Sequence, residues 1–290
     1  MLEFEYLRPL SLGEACDLLS RHGGCAKVMA GGTDLVVALR EENLRLKGLQ
    51  YVMDLSHIPE LAYIREEEGT IRIGALATHA QVAVSPAIRR HAHLLAQACS
   101  QVGSPQVRNR GTLAGNIANA SPAADTVPAL VALQARVTLM SSRGSRELSV
   151  AEVLAGPYRT NLAADEIIAG ISFKKLPPSA GSAFLKIGRR WAMSIARLNV
   201  AVVIDLDEGC VVREARIVPG GALPVAAKLP AVEEMVRGQV LTEGLAQAAG
   251  EKAGQEMVGL SGIRWSTEYK LPVLAVLVRR SILQAGGLMQ

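Results

Sequence analysis

The chain of 290 residues is poor in aromatic side chains, with two Trp, five Tyr and three Phe, none of them interleaved with a basic cluster. Stacking on nucleic-acid bases therefore has little to work with, and a net charge of only +4 leaves no basic stripe to follow a phosphate backbone. Cysteine is scarce too. Cys16, Cys25, Cys99 and Cys210 never reach the CxxC spacing of a zinc or iron–sulfur site, and they suggest no disulfide framework, which suits a reducing compartment. His91 and His93 lie two apart and would point in different directions on a helix. His22, His57 and His79 have no acidic or thiol neighbours at ligand spacing, so all five histidines read as structural or surface groups and no metal site is expected. The longest apolar run, LPVLAVLV, stops at Arg279 and Arg280, short of the roughly 18 to 20 residues a membrane span needs. Glu3, Glu5 and Arg8 stand where a signal peptide would carry its apolar core, and the expectation is a cytoplasmic protein. A Walker motif and GxGxxG are both missing, which argues against a triphosphate with magnesium.

What is present is the composition of a globular protein: 49% hydrophobic residues and 20% charged, over a length that suggests two domains. EFEYLRP suits a short strand, and Ser11 with Glu14 has the capping-box form ahead of a helix that Gly23 and Gly24 can end. AKVMA, YVMDLSHI, LAYI and TIRIGALA read as strands, while THAQVAVSP and AIRRHAHLLAQACSQV read as helices. ARVTLMSS, SRGSRELSV and DEIIAGISF continue a β region. Pro177, Pro178 and Gly181 then mark a linker. Beyond it come three strands, with Asp207-Glu208-Gly209 as a tight turn, and three helices near 229–237, 242–257 and 266–284. Strands first and helices afterwards predict an α+β arrangement with helices on an antiparallel sheet.

Two stretches carry chemistry. Ala30-Gly31-Gly32-Thr33-Asp34-Leu35 follows a strand and opens a helix, an order that aims free N–H groups at an anion and serves equally as a plain turn. The second, GTLAGNIANASPAADTVPAL over 111–130, is a Gly/Ala-rich loop that lets a ligand approach the backbone, or else a packing turn. Ser121 with Pro122 predicts one helix start and Asp125 a second cap, with Pro128 in that helix's first turn. With no triad or metal cluster between them, the two loops point to a dinucleotide whose pyrophosphate is neutralised by two sets of backbone N–H groups. Thr112, Asn116, Ser121 and Asp125 would then reach its sugar or ribitol hydroxyls.

AGGTDL (30–35), TLAGNIANASPAADTVPALVAL (112–133), SAFLKIGRRWAMSIARLNVA (182–201) and STEYKLPVLAVLVRR (266–280) together resemble the FAD-binding medium subunit of the molybdenum hydroxylases, the xanthine dehydrogenase and carbon monoxide dehydrogenase family. The resemblance covers nearly the whole chain. It implies a two-lobed FAD-binding domain of the vanillyl-alcohol-oxidase type over 1–176, with lobes of about 1–58 and 59–176, then a smaller α+β flavoprotein C-terminal domain over 182–286. It implies that Ala30, Gly31, Gly32, Thr33, Asp34 and Leu35 hold the FAD pyrophosphate, with Lys27, Val28 and Met29 leading in. Gly111, Thr112, Gly115, Asn116, Ala118 and Asn119 would form the second loop, and Ala124 and Asp125 would close on the cofactor. Ile168 matches an apolar position whose backbone meets the isoalloxazine ring, Lys186 lies near a lysine used by some members, and Val102 aligns with an aromatic that stacks on the flavin in others. Where relatives carry Gly-Gly-Asn this chain has Ala114-Gly115-Asn116, which is tolerable only if Ala114 has a negative φ.

No catalytic acid or base is implied on this chain. The resemblance implies electron transfer in which FAD receives electrons from [2Fe–2S] clusters on a small subunit, after hydroxylation at a molybdenum cofactor on a large one, and passes them to NAD, a quinone or oxygen. Arg108, Arg189 and Arg190 are candidates for docking or for the acceptor, and serve equally as solvated surface charge. Two rival readings are a free-standing FAD-dependent oxidoreductase of the same fold and an assembly module without the cofactor. Intact Gly31, Gly32, Gly115 and Asn116 argue against the latter.

Overall fold

A computed structural model describes residues 2–190 and 193–289. The first lobe threads strand β1 (Glu5–Leu7), helix α1 (Leu12–His22), β2 (Ala26–Met29), α2 (Leu35–Arg40) and β3 (Tyr51–Asp54) into a parallel sheet of order β1-β3-β2. Parallel neighbours need crossovers, and α1 and α2 supply them. Ser11 accepts from the Glu14 N–H at 3.2 Å, but the Glu14 carboxylate bonds Leu10 N–H, so the expected capping box is not reciprocal. Gly23 closes α1 at φ 43°. YVMDLSHI is strand only to Asp54, after which a 3-10 turn covers Pro59–Leu61.

The second lobe is a mixed unit around a five-stranded antiparallel sheet. β4 (Ile64–Glu67) starts where LAYI ends, and pairs with β5 (Thr70–Gly74). Six helices follow: α3 (His79–Val84), α4 (Pro86–His91), α5 (His93–Ser100), α6 (Pro105–Arg110), α7 (Leu113–Asn119) and α8 (Thr126–Ala132). The helical run from Ala87 is broken at Ala92, whose φ of −154° and ψ of 55° leave the helical region. No helix starts at Ser121-Pro122, and α7 lies where the sequence reads as a loop. β6 (Arg136–Ser141), β7 (Gly144–Ser149), α9 (Val150–Val153), the hairpin β8 (Leu154–Gly156) and β9 (Arg159–Thr160), and β10 (Ile167–Lys174) complete the lobe, in sheet order β4-β5-β10-β6-β7.

β11 (Ala180–Gly188), β12 (Ala196–Leu206) and β13 (Val212–Gly220) form an antiparallel three-stranded sheet, followed by α10 (Pro230–Val236), α11 (Glu243–Ser261) and α12 (Thr267–Ala285), as the pattern predicts. Asp207 makes the tight turn by accepting from the N–H groups of Gly209 and Val211. Gly181 lies inside β11, where a Cβ would run into the Ala285 carbonyl, so it permits a close approach of α12 and does not end the strand. The sheet is covered on both faces. Leu198, Val200, Val202 and Ile217 pack with the helices, while Phe184, Ala201, Val203 and Val218 join the core of the second lobe. Double coverage explains why residues 200–204 of β12 read as a continuous apolar run. Among the described residues no helix is long and apolar enough to cross a membrane.

Candidate functional site

A cavity of about 630 Å³ lies between the two lobes, at the carboxyl end of β2, in the size range of cofactor sites. A parallel sheet opens its ligand crevice at that end, beyond the last strand residue. Here the chain turns through Ala30 to Asp34 before α2 begins. Gly32 takes φ 71°, a conformation that favours glycine, and permits the turn. Among the described residues no acceptor is found for the N–H groups of Gly31, Gly32, Thr33 and Asp34. Backbone donors left free at a cavity wall suit an anion.

The second wall is the Gly111–Thr112 turn with α7. Thr112 caps α7 by accepting from the Gly115 N–H at 3.0 Å, so the Gly/Ala-rich stretch folds as a short helix whose N-terminal end faces the cavity. The two walls touch: a Cβ on Gly31 would run into the Arg110 carbonyl, and Asn119 Nδ2 donates to Asp34 Oδ1 at 2.9 Å. Burial raises the Asp34 carboxyl above the ordinary carboxylate range, with Arg45 opposing the shift. At the rim Arg45 sits over the Tyr158 ring, 4.3 Å from its centroid, and so links the first lobe to the β8–β9 hairpin. A smaller hollow of about 190 Å³ shares this rim and is lined by Thr33, Asp34, Asn119 and Tyr158.

Comparison with known proteins matches residues 2–175 to the FAD binding domain in molybdopterin dehydrogenase, and residues 182–285 to the CO dehydrogenase flavoprotein C-terminal domain. The chain belongs to this flavoprotein family. It is 34% identical over 282 residues to the nicotine 6-hydroxylase medium subunit of Paenarthrobacter nicotinovorans, covering 97% of each chain. It is 38% identical over 248 residues to the nicotinate dehydrogenase FAD-subunit of Eubacterium barkeri, covering 83% of this chain and 82% of the relative. Its fold superposes with a TM-score of 0.90 and 30% identity on a solved structure of carbon monoxide dehydrogenase from Hydrogenophaga pseudoflava lacking the Mo-pyranopterin moiety, over 100% and 99% of the two chains. FAD is the cofactor of the family, and the chain is a subunit of the oxidoreductase class.

In this flavoprotein Lys27 through Leu35, Val102, Gly111, Thr112, Gly115, Asn116, Ala118, Asn119 and Ile168 all line the cavity. Ala124, Asp125 and Lys186 do not. Asp125 is N-terminal to α8 without capping it, because its carboxylate is taken by Lys186 Nζ at 2.5 Å and Asn199 Nδ2 at 3.1 Å. Burial pushes the Asp125 carboxyl up, while Lys186 and Asn199 pull it back. Lys186 also donates to the Gln101 carbonyl, and Arg108 donates to the carbonyls of Val102 and Gly103. Two cations thus pin the turn that carries Val102 to the wall. Asn116 Oδ1 accepts from the Thr126 hydroxyl at 2.7 Å, and Ser121 Oγ accepts from the Ala123 N–H at 3.3 Å; Asn116 lines the cavity and Ser121 does not. Ala114 lies within α7 and is not among the positive-φ residues, so its methyl is accommodated. Trp191 and Ala192 of the third motif lie outside the described residues.

Among the wall residues that the sequence reading missed are Arg45, Tyr158 and His79. Arg45 and Tyr158 meet only through the fold. His79, taken as structural or surface, is 2% exposed and lines the cavity. Its N–H donates to the Gly111 carbonyl 32 positions away at 3.0 Å, a link that no local spacing announces. Among the described residues no group of His, Cys, Asp and Glu is placed to hold a metal.

Proposed function

We propose that this chain binds FAD in the cavity between its lobes and serves as the electron-transfer subunit of a molybdenum-containing hydroxylase or dehydrogenase. The carrying observation is the set of free N–H groups on Gly31 to Asp34, facing a second wall built from Gly111 and the start of α7. These donors suit a pyrophosphate: they are fixed by strand and helix ends, and they need no dedicated lysine. Val28, Met29 and Ile168 give the wall apolar surface for the remainder of the cofactor. Bound FAD supplies redox chemistry that joins single-electron donors to two-electron acceptors. The protein's part is to bind and orient it, and none of its own side chains acts as acid or base. Partners are a large subunit with the molybdenum cofactor and a small subunit with two [2Fe–2S] clusters. The medium-chain naming of its relatives supports this. NAD is the proposed acceptor, with a quinone or oxygen as the rivals, and the cytoplasm is the proposed location.

The test is the visible spectrum of the purified full chain, with the released cofactor identified after acid denaturation. Bands near about 370 and 450 nm that resolve to FAD support the site. A colourless chain that takes up no added FAD overturns it. Co-expressed with its partners, the complex should reduce NAD when given its hydroxylation substrate; reduction of quinone or oxygen alone would replace NAD as acceptor.

A further inference from the structure

The connection between α11 and α12 holds Trp265 at 95% exposure and Ile263 at 85%, with Arg264 between them. It is a built turn. Gly262, at φ 70°, closes α11 by donating its N–H to the Val258 carbonyl at 2.8 Å, and Arg264 N–H donates to the Thr267 hydroxyl at 2.8 Å while Thr267 N–H returns to the Arg264 carbonyl at 2.9 Å. Two apolar side chains are thus held out in water by a backbone fixed from both ends. Beside them three cations gather. Arg197 Cζ lies 5.2 Å from the centroid of the Tyr269 ring, the next residue Lys270 donates to the Gly221 carbonyl, and a Cβ on Gly221 would lie 2.8 Å from the Arg197 carbonyl oxygen. Burial pushes the Lys270 amine down, and Arg264 and Arg197 add to the shift, so all three charges act on one another. Among the described residues no carboxylate lies within ion-pair distance of any of them. Converging like charges without a counter-charge disfavour the fold, and an acidic partner would relieve them.

We propose that this face of the C-terminal domain docks an acidic surface of the small [2Fe–2S] subunit, with Trp265 and Ile263 as apolar anchors and Arg197, Arg264 and Lys270 as the charges that orient it. The proposal rests on the reading of the chain as an electron-transfer subunit. Charge complementarity sets the chemistry of the occupant: three uncompensated cations call for carboxylates, and Trp and Arg are the residue types that carry most binding energy at protein interfaces. Position decides which subunit it is. Arg197 stands at the start of β12, two residues before Asn199, whose Nδ2 donates to Asp125. Asp125 is paired with Lys186, which holds the Gln101 carbonyl beside the cavity-lining Val102. A protein seated on the cation cluster therefore borders the end of the sheet that meets the cavity. An electron donor needs that proximity, and a subunit that only hydroxylates a substrate does not.

The experiment measures binding of the purified small [2Fe–2S] subunit to the full-length chain at low and high salt, comparing wild type with Trp265→Ala and Arg264→Glu. Tm and flavin content are read on the same preparations. Both side chains are exposed, so Tm and flavin content should hold. Trp265→Ala should weaken binding by about 10- to 100-fold at either salt. Arg264→Glu should weaken it by about 10-fold at low salt and flatten its salt dependence, because an attractive charge has become a repulsive one. Unchanged affinity in either variant overturns the proposal. So does a co-expressed complex in which the variants shed the large subunit and keep the small one, or a wild-type dimer of this chain that Trp265→Ala converts to monomer. A wild-type chain that does not bind the small subunit at all would instead overturn its reading as an electron-transfer subunit, and this inference with it.

Discussion

The N-terminal and C-terminal parts of the chain are built from elements of different length. Up to β10 the helices run from 4 to 11 residues and the strands from 2 to 8. After it the sheet strands have 9, 11 and 9 residues, and the two longest helices have 19 each. Short elements multiply termini, and each helix start leaves N–H groups without an intrahelical acceptor. In the first part such groups gather along one cavity. Long elements satisfy their own backbone, and the C-terminal part spends its surface on packing. Close glycine contacts divide in the same way: Gly31 brings one cavity wall against the other, whereas Gly250 brings α11 against the Ala275 carbonyl of α12.

The sharpest break of this contrast is a paired substitution. Gly31→Ala should abolish flavin retention, because the added methyl collides with backbone at Arg110 and forces the walls apart. Gly250→Ala should cost about 1–3 kcal/mol of stability by overpacking and leave FAD affinity as in the wild type. Absorbance ratios of flavin to protein, with urea unfolding beside them, read both. If Gly250→Ala also loses flavin, the division of labour is wrong.

A second effect, on stability alone, tests the join between the two parts. Lys186→Met leaves the Asp125 carboxylate buried opposite an apolar chain, both partners being under one-tenth exposed. The expected loss is about 3–5 kcal/mol in urea unfolding, largely recovered when Asp125→Leu is added. A single-variant loss indistinguishable from the double would deny the pairing any role.

The third effect separates His79 from the carboxylates that dominate acid unfolding. Its ring titrates near about 6.5 in the unfolded chain and is pushed to about 4 in the fold. Between these values the unfolded chain binds more protons, so this contribution is complete above the upper value and is lost as pH falls toward the lower one. The loss is about 3 kcal/mol. The FAD-free wild type should therefore lose Tm over that window more steeply than His79→Phe, and equal slopes would place the ring in solvent.

Much of this organisation is legible in the chain. The three strands and three helices after Pro177-Pro178 were expected from continuous apolar runs and from Asp207-Glu208-Gly209, because long elements average out local noise. The diglycine turn was legible for a different reason: Gly32 takes a positive φ at a strand end. α7 was not legible as a helix, since Ala114 and Gly115 give it little apolar periodicity, although Thr112 at its cap was a readable start signal. β4 was misplaced because Arg65, Glu66 and Glu67 expose a charged edge with no alternation to follow. Asp125 reads as a cap in the sequence, and only the fold reveals the lysine 61 positions away that claims it.

The three-stranded sheet with apolar residues on both faces has a mechanical consequence. Phe184, Ala201 and Val203 lie in the core of the second lobe, and Phe184 N–H donates to Gln97, Arg216 to the Ala132 carbonyl and Gly221 N–H to the Pro122 carbonyl. The proline pair between β10 and β11 is thus a covalent tie lying over a non-covalent weld. A protease nick at Pro177-Pro178 would leave two fragments that migrate as one under native conditions, and fragments expressed separately should reassemble around that shared sheet.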